Sequence, residues 1–545
     1  MTAAAADALA RHAAARPTAT AAVMAGSGRS IDWRTLESRS RRIASRLIRA
    51  GLRQGDVIAI LAENRLDWFE WMWAARRAGL YYTTLSTHWK ADEAGYVLRD
   101  CGARALFATG ATVAVAAQAV AARAAAAAAG GASAGIVQGA REGEPVDPPS
   151  DLLCIVADGA APGFEDLETW LAEAPEDATL PVRLEGADFL YSSGTTGRPK
   201  GIRRPLEQLA SVDLQRGDLA WKRFDADAIY LSTAPMYHSA PVRWTMQALR
   251  GGACCVVMER FDAEAALAAI ERYRVTHAQF VPTMFVRLLR LPAEARDRHD
   301  RSSLRFAIHA AAPCPVEVKR AMIDWWGPVL HEYYSGTEAV GRTSISSQEW
   351  LARPGSVGRP ELGTLHIVGE DGAELGPGRT GHVCFSGVPR FEYHGDPART
   401  RAAYDALGRA SIGDVGHVDA DGYLFLTDRA SHMIITGGVN VYPQETENLL
   451  IGHPAVADVA VIGVPDAEFG ESVKAVVVPR EGVTPSEALA AELVEWCRAR
   501  LSGIKCPRSV DFVAELPRTE AGKLMKRLLR DRYAPPTQLS TRSPG

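Results

Sequence analysis

The run Tyr191 to Gly201, YSSGTTGRPKG, gathers more chemistry into a short space than any other part of the chain. Ser192, Ser193, Thr195 and Thr196 offer hydroxyl donors, and Lys200 adds a mobile point charge. Gly194, Gly197 and Gly201 allow backbone angles that a side chain would forbid. The run follows Asp188-Phe189-Leu190, which reads as the end of a short buried strand. A strand feeding a glycine-rich loop with converging donors is how a backbone cradles phosphate oxygens. The common NTPase loop needs G-x-x-x-x-G-K-[ST]. Here Pro199 precedes Lys200 and Gly201 follows it, so that fingerprint fails while the physical ingredients remain.

Other runs carry weaker signals. HEYYSGTE, His331 to Glu338, puts a carboxylate beside tyrosines, and taken alone this is an ordinary solvated loop. Asp414 follows Gly413, as in many turns, yet a carboxylate has two acceptor oxygens and suits a vicinal diol. From Asp428 to Pro443 the chain reads as a strand ending in a Gly437-Gly438 turn. LPRTEAGK, Leu516 to Lys523, precedes a basic helix at Leu524 to Arg530. His238, within APMYHSAP, is by itself a packed turn residue. Gly131-Ala132-Ser133-Ala134-Gly135 formally matches a nucleophile elbow, but it lies in an alanine tract that reads better as a surface helix and its capping turn.

The elements that must position these residues follow from pattern. Trp33, Leu36, Ile43, Leu47 and Ile48 recur at helical spacing over residues 33 to 50. VIAIL at Val57 reads as a buried strand, and a helix follows from about Asp67 to Ala78. Strands near Ala105, Leu152, Ala228, Ala253, His277 and Phe306 alternate with helices, which argues for α/β layers around parallel sheet. From about Thr364 short alternating strands with turns such as Glu370-Asp371-Gly372 predict an antiparallel β subdomain. Residues 456 to 480 begin a separate small α/β unit, with a helix from about Ser486 to Leu501. The boundary falls near Asp428 to Ser431, and the Pro/Ser/Thr-rich tail from Ala534 is expected to fray.

A chain of 545 residues has ample core for several domains. Hydrophobic residues at 47% and charged residues at 23% are ordinary for a soluble globular protein. A net charge of −4 gives no nucleic-acid footprint. The 8 cysteines contain no C-x-x-C pair and fit reduced, buried thiols. The alanine-rich start is interrupted by Asp7, Arg11 and His12, so it makes no signal core, and no run is apolar enough for a membrane span. A cytoplasmic enzyme is the expectation.

In this order, the runs resemble the adenylate-forming superfamily of acyl-CoA synthetases, peptide-synthetase adenylation domains and luciferases, most closely bacterial fatty-acyl-CoA synthetases. The resemblance covers nearly the whole chain. It implies a large N-terminal α/β domain with a β subdomain over 1–428, a small mobile C-terminal α+β domain over 429–533, and a disordered tail over 534–545. ATP, Mg2+ and coenzyme A are implied as cofactor or co-substrates. Ser192, Ser193, Gly194, Thr195, Thr196, Gly197 and Lys200 match the phosphate loop, with Tyr334 stacking on adenine and Thr337 near the α-phosphate. Asp414 matches the ribose-binding aspartate, and Arg429 the arginine bonding ribose or phosphate. Glu338 and Thr195 would hold Mg2+, and Lys523, with them, would be catalytic. His238 matches a gate to an acyl pocket shared by Ser239, Val242, His309, Ala310, Ala311, Tyr333 and Ser335. Gly437 and Gly438 would line the pantetheine tunnel, and Ser431 would be the hinge.

Three positions depart from the family pattern. Tyr333-Tyr334-Ser335 stands where Gly-Tyr-Gly is more frequent, Ile412 where Thr is, and Ser431 where Asp or Lys is. The implied reaction makes an acyl-adenylate and pyrophosphate, then acyl-CoA and AMP. A stand-alone enzyme loading a carrier protein stays open, as does a nucleotide-binding protein without catalysis. A fatty, alicyclic or aromatic acid fits equally. A homodimer also stays open.

Overall fold

The computed structural model describes residues 7–128, 152–175, 179–192, 199–209, 224–429, 432–436, 439–466, 468–518 and 524–533. The helix Trp33–Arg49 buries Trp33, Leu36, Ile43 and Leu47 on one face. It starts where the Asp32 carboxylate accepts from the Thr35 N–H at 2.7 Å, satisfying one orphan donor. Val57–Leu61 is buried at every position, as a parallel strand covered on both faces must be. The helix Asp67–Arg77 is buried nearly all round, and its Trp68, Phe69, Trp71 and Trp73 are almost fully enclosed.

Among the described residues the largest sheet has 13 strands. Its parallel part runs Thr20–Met24, Cys254–Val257, Ile229–Ser232, His277–Phe280, Phe306–His309, Leu330–Tyr334. Pairing then turns antiparallel, through Arg342–Ser346, Ser356–Leu362, Leu424–Arg429, Ala410–Val418, Gly381–Ser386 and Thr364–Val368. The strands read as a β subdomain are antiparallel and share a core of their own around Val383, Phe385 and Leu424, and Ser356–Leu362 joins them to the large sheet. They continue the parallel series from the open edge of Leu330–Tyr334, which would otherwise present unpaired backbone groups.

A second, parallel sheet is built on Val57–Leu61 and Ala103–Thr109. Ile58, Ile60 and Phe107 from that sheet share one core with Ala22, Tyr230 and Val257 from the first. A short sheet pairs Leu190–Ser192, Lys200–Arg203 and Glu392–Tyr393. The last sheet is built on the long hairpin Val456–Asp466 and Gly470–Pro479, with Ile434–Thr436 and Ser509–Phe512 both paired to its second strand and the helix Glu487–Arg498 packed against it. Sheet membership thus changes between Arg429 and Ile434.

The alanine tract forms a helix at Val113–Ala128, while residues 131–135 and the tail from 534 lie outside the described residues. The basic helix runs Lys526–Tyr533, starting later than its composition predicted. All cysteines are unpaired, and burial pushes the Cys101 thiol up to about 12, which keeps it protonated and inert. No described helix is long and apolar enough to cross a membrane.

Candidate active site

In open parallel sheets, ligands bind beyond the carboxyl ends of the strands. The chain follows that rule. Ala310 and Ala311 leave the strand Phe306–His309, and Tyr334 ends the strand Leu330–Tyr334. A cleft of ≈ 420 Å³ opens there. Ala310, Ala311, Tyr333, Tyr334, Ser335 and Asp414 line it from the large sheet. Gln444, Glu447, Asp458, Arg518 and Leu524 line it from the other side.

Tyr334 and Asp414 meet in this cleft. The Tyr334 hydroxyl donates to Asp414 Oδ2 at 2.6 Å, and Asp414 is buried. Asp414 sits within the strand Ala410–Val418, opposite Arg429 in register. Gly413 before it has φ +85°, a conformation that only glycine adopts readily. A ring face with a carboxylate pinned at its edge fits an adenosine: a base on the ring, a ribose diol on the acid.

The residues that the resemblance assigns to a phosphate loop are framed by a hairpin. Ser192 and Lys200 are cross-strand partners, as are Tyr191 and Gly201. Ser193, Gly194, Thr195, Thr196 and Gly197 lie between them, outside the described residues. Gly201 is needed for space rather than for its backbone angle. A Cβ there would come within 2.8 Å of the Phe189 ring and 3.0 Å of Tyr191 Cζ.

Thr337 and Glu338 are held from two directions. Arg243 Nη2 donates to the Thr337 carbonyl at 2.9 Å, and the Ser239 and Thr337 hydroxyls are 3.3 Å apart. The Tyr393 hydroxyl donates to Glu338 Oε1 at 2.9 Å, which aims the carboxylate and leaves Oε2 for another partner. Ala339 and Ala311 both have positive φ, 55° and 79°, an unfavourable conformation for alanine that clusters at functional sites. Among the described residues no group of three or more His, Cys, Asp and Glu could hold a metal by itself. A lone, oriented carboxylate suits Mg2+ that arrives on phosphate oxygens, because that ion takes one or two carboxylates and keeps its other oxygen ligands.

The residues assigned to the acyl side sit at two depths. Ala310, Ala311, Tyr333 and Ser335 line the cleft, whereas His238, Ser239 and Val242 lie at or in the start of the helix Ser239–Gly251. Val242 and His309 are fully buried. Burial, helped by His88, holds His238 down at about 4, and burial does the same to His331, at about 4, and to His309. All three are neutral at pH 7. Their unfolded value is near 6.5, so the unfolded chain binds more protons as pH falls from about 6.5 towards 4, and stability must drop over that window. The melting temperature should fall through this range, and less steeply in His238→Phe. Equal slopes in the two proteins would contradict burial as the cause.

Ser431, Gly437, Gly438 and Lys523 lie outside the described residues. The segment containing Lys523 is nevertheless bracketed. Arg518 and Leu524 pair as an isolated β-bridge, and both line the cleft. Arg518 is anchored to Asp458 at 2.7 Å. The Asp428 carboxylate accepts from the Gln444 N–H at 2.9 Å and contacts His432 at 3.2 Å, so the last strand of the large sheet is tied to the helix Pro443–Leu450.

Sequence reasoning missed several residues. Glu332 lines the cleft and is ion-paired with the buried Lys319 at 2.6 Å, with His309 Nε2 at 3.8 Å from the same oxygen. Its place beside the Tyr333-Tyr334 pair was the available signal. Tyr393, Arg243 and Asp188 gave none, since their partners are distant in sequence.

An α/β cleft at strand ends, lined on its other side by residues of the last sheet and its helices, has the form of a nucleotide-binding site. Residues 9–390 match the family model described as AMP-binding enzyme, and residues 445–523 match the AMP-binding enzyme C-terminal domain. The chain is 33% identical to a feruloyl-CoA synthase from Amycolatopsis sp, across 93% of this chain and 94% of that protein. It is 30% identical to a long-chain-fatty-acid–CoA ligase of Mycobacterium tuberculosis, across 90% and 91%. ATP-bound MatB from Rhodopseudomonas palustris superposes with a TM-score of 0.80 at 28% identity, across 97% of this chain and 99% of that one. The chain belongs to the AMP-binding enzyme family, in its adenylate-forming acyl-CoA synthetase branch.

Proposed function

We propose that this chain is an ATP-dependent carboxylate–CoA ligase that works in two half-reactions. A carboxylate oxygen of the acid attacks the α-phosphorus of ATP, and the bond to pyrophosphate breaks. A CoA thiol, losing its proton, then attacks the acyl carbonyl, and the bond to AMP breaks. The observation that carries the reading is the shared cleft. Tyr334 and Asp414 line it from the large lobe, and the bridge Arg518–Leu524, bracketing Lys523, lines it from the small one.

In this reading Tyr334 takes the adenine face, and Asp414 with Arg429 takes the ribose. Ser192 to Gly197 and Lys200 hold the phosphates, with Thr337 against the α-phosphate. Glu338 and Thr195 would hold Mg2+, which would supply charge neutralisation on the phosphates. Lys523 offsets charge building on the α-phosphoryl group. Domains at 1–428 and 429–533 turn about Ser431, so that Gly437 and Gly438 replace Lys523 for the thiol step. His238 gates the acyl side.

Incubation with ATP, Mg2+, an acid panel and CoA tests the assignment. Acid-dependent pyrophosphate release and a thioester detected by mass spectrometry are expected. Pyrophosphate release without CoA thioester would shift the acceptor to a carrier protein. No acid-dependent release with any acid would leave a nucleotide-binding protein and end the ligase reading.

A further inference from the structure

Thr337 marks where the reacting carboxylate would lie, and the helix Ser239–Gly251 begins against it: the Ser239 and Thr337 hydroxyls are 3.3 Å apart. Five residues further along that helix, the Trp244 indole N–H donates to the Tyr333 hydroxyl at 3.1 Å, with ring centroids 5.6 Å apart. Tyr333 itself lines the cleft beside Ala310 and Ala311, so its ring, with Trp244 behind it, closes the cleft on that side. Behind the pair the space is filled. Trp244 is buried and packs on Phe224 at 6.0 Å, and Phe224 packs on Tyr230 at 5.6 Å and on His277 at 4.9 Å. A close-packed interior of this kind does not yield to an inserted chain without displacing a side chain.

We infer that Trp244 and Tyr333 form the end wall of the acyl pocket, so that the acid is compact, an aryl or alicyclic carboxylic acid rather than a long alkyl chain. The inference rests on the ligase reading above and deepens it. Trp244 is a specificity-determining residue in it, not a catalytic one.

The wall also has a polar side. An indole N–H can only donate, so the Tyr333 oxygen is the acceptor in their hydrogen bond. The phenol's own proton has no acceptor among the described residues. An oxygen on the far side of the acid, such as a hydroxyl, ketone or ether, would supply one.

The test is pyrophosphate release, read as kcat/KM, for hexanoate, dodecanoate, hexadecanoate, cyclohexanecarboxylate and 3-phenylpropenoate with and without a 4-hydroxyl. The ring acids should exceed hexadecanoate by about 100-fold or more in the unaltered protein. Trp244→Ala should lower that ratio by at least about tenfold, by gaining the long acids, with Trp244→Phe in between. Tyr333→Phe should cost the 4-hydroxylated acid about tenfold against its unsubstituted parent. A preference of the unaltered protein for dodecanoate or hexadecanoate overturns the inference while leaving the ligase reading intact. So does an unchanged chain-length profile in folded Trp244 variants. Absence of release with every acid overturns both, and the unaltered protein alone decides the matter if neither variant folds.

Discussion

Lys523→Ala is expected to slow acyl-adenylate formation by about 10²–10³-fold, while thioester formation from supplied acyl-adenylate and CoA stays largely intact. The asymmetry comes from where charge develops. Attack on the α-phosphorus crowds negative charge onto its equatorial oxygens, and a cation aimed there acts on the transition state more than on the ground state. The thiol step has no such need. The neighbouring lysine cannot take the role, because Lys526 is buried and paired with the buried Glu447 at 2.8 Å. Removing a charge from that pair would strand its partner and unfold the helix end before it changed the chemistry. Lys526 and Glu447 line the same cleft with their charges already engaged on each other, while residues 519–523 are bracketed by Arg518 and Leu524 there. Separate assays of acid-dependent pyrophosphate release and of CoA thioester formation from synthetic acyl-adenylate check the expectation. Equal losses in both half-reactions would remove Lys523 from the first step.

What the sequence disclosed was what local pattern encodes. A continuous apolar run located Val57–Leu61, and period-3.6 apolar spacing located Trp33–Arg49, because burial on both faces or on one leaves a local imprint. The runs around Tyr334, Thr337, Asp414 and Arg429 stood out through their resemblance to a family pattern, and the structure brings Tyr334 onto Asp414 and sets Asp414 opposite Arg429 in register. Contacts between distant segments leave no such imprint. The hydrogen bond that orients Glu338 comes from Tyr393, 55 residues on, and nothing near either residue announces it. The continuity of the large sheet was hidden for a related reason. Alternating strands look alike whether they start a new sheet or extend an old one, and only the unpaired edge of Leu330–Tyr334 decides. Gly201 was read as a conformational glycine, but its requirement is the Phe189 and Tyr191 rings packed over it. Positive φ at Ala311 and Ala339 is invisible in principle, since alanine there argues against it.

Asp188→Ala is expected to be the most damaging change outside the cleft, costing about 3–5 kcal/mol of stability. The carboxylate is buried and accepts from Arg204 Nη2 at 3.2 Å and from Arg243 Nη2 at 2.7 Å. Burial alone would push its carboxyl up; the charges of Arg243 and Arg204 outweigh burial and hold it well below the usual range. Alanine leaves buried guanidinium groups facing a void, whereas Asp188→Asn keeps the volume and some of the hydrogen bonds and should cost less. The group's folded value lies below its unfolded value near 3.9. Its contribution is therefore complete above that value and is lost only as pH falls towards the folded one. Chemical denaturation at pH 7 and at pH 3 should accordingly show a smaller difference between Asp188→Ala and the unaltered protein at the lower pH. The position also matters for chemistry. Asp188 bridges to Tyr82 beside the second sheet and directly precedes Phe189 and the phosphate-loop hairpin Leu190–Ser192. Through Arg243 it reaches the Thr337 carbonyl. One carboxylate thus fixes the spacing between the hairpin at Leu190–Ser192 and Thr337, and on the proposed ligase roles of those segments residual Asp188→Asn protein should lose kcat more than affinity for ATP. A variant that keeps its full kcat, or melts within about 1 kcal/mol of the unaltered protein, would show that the three segments are held together by packing alone.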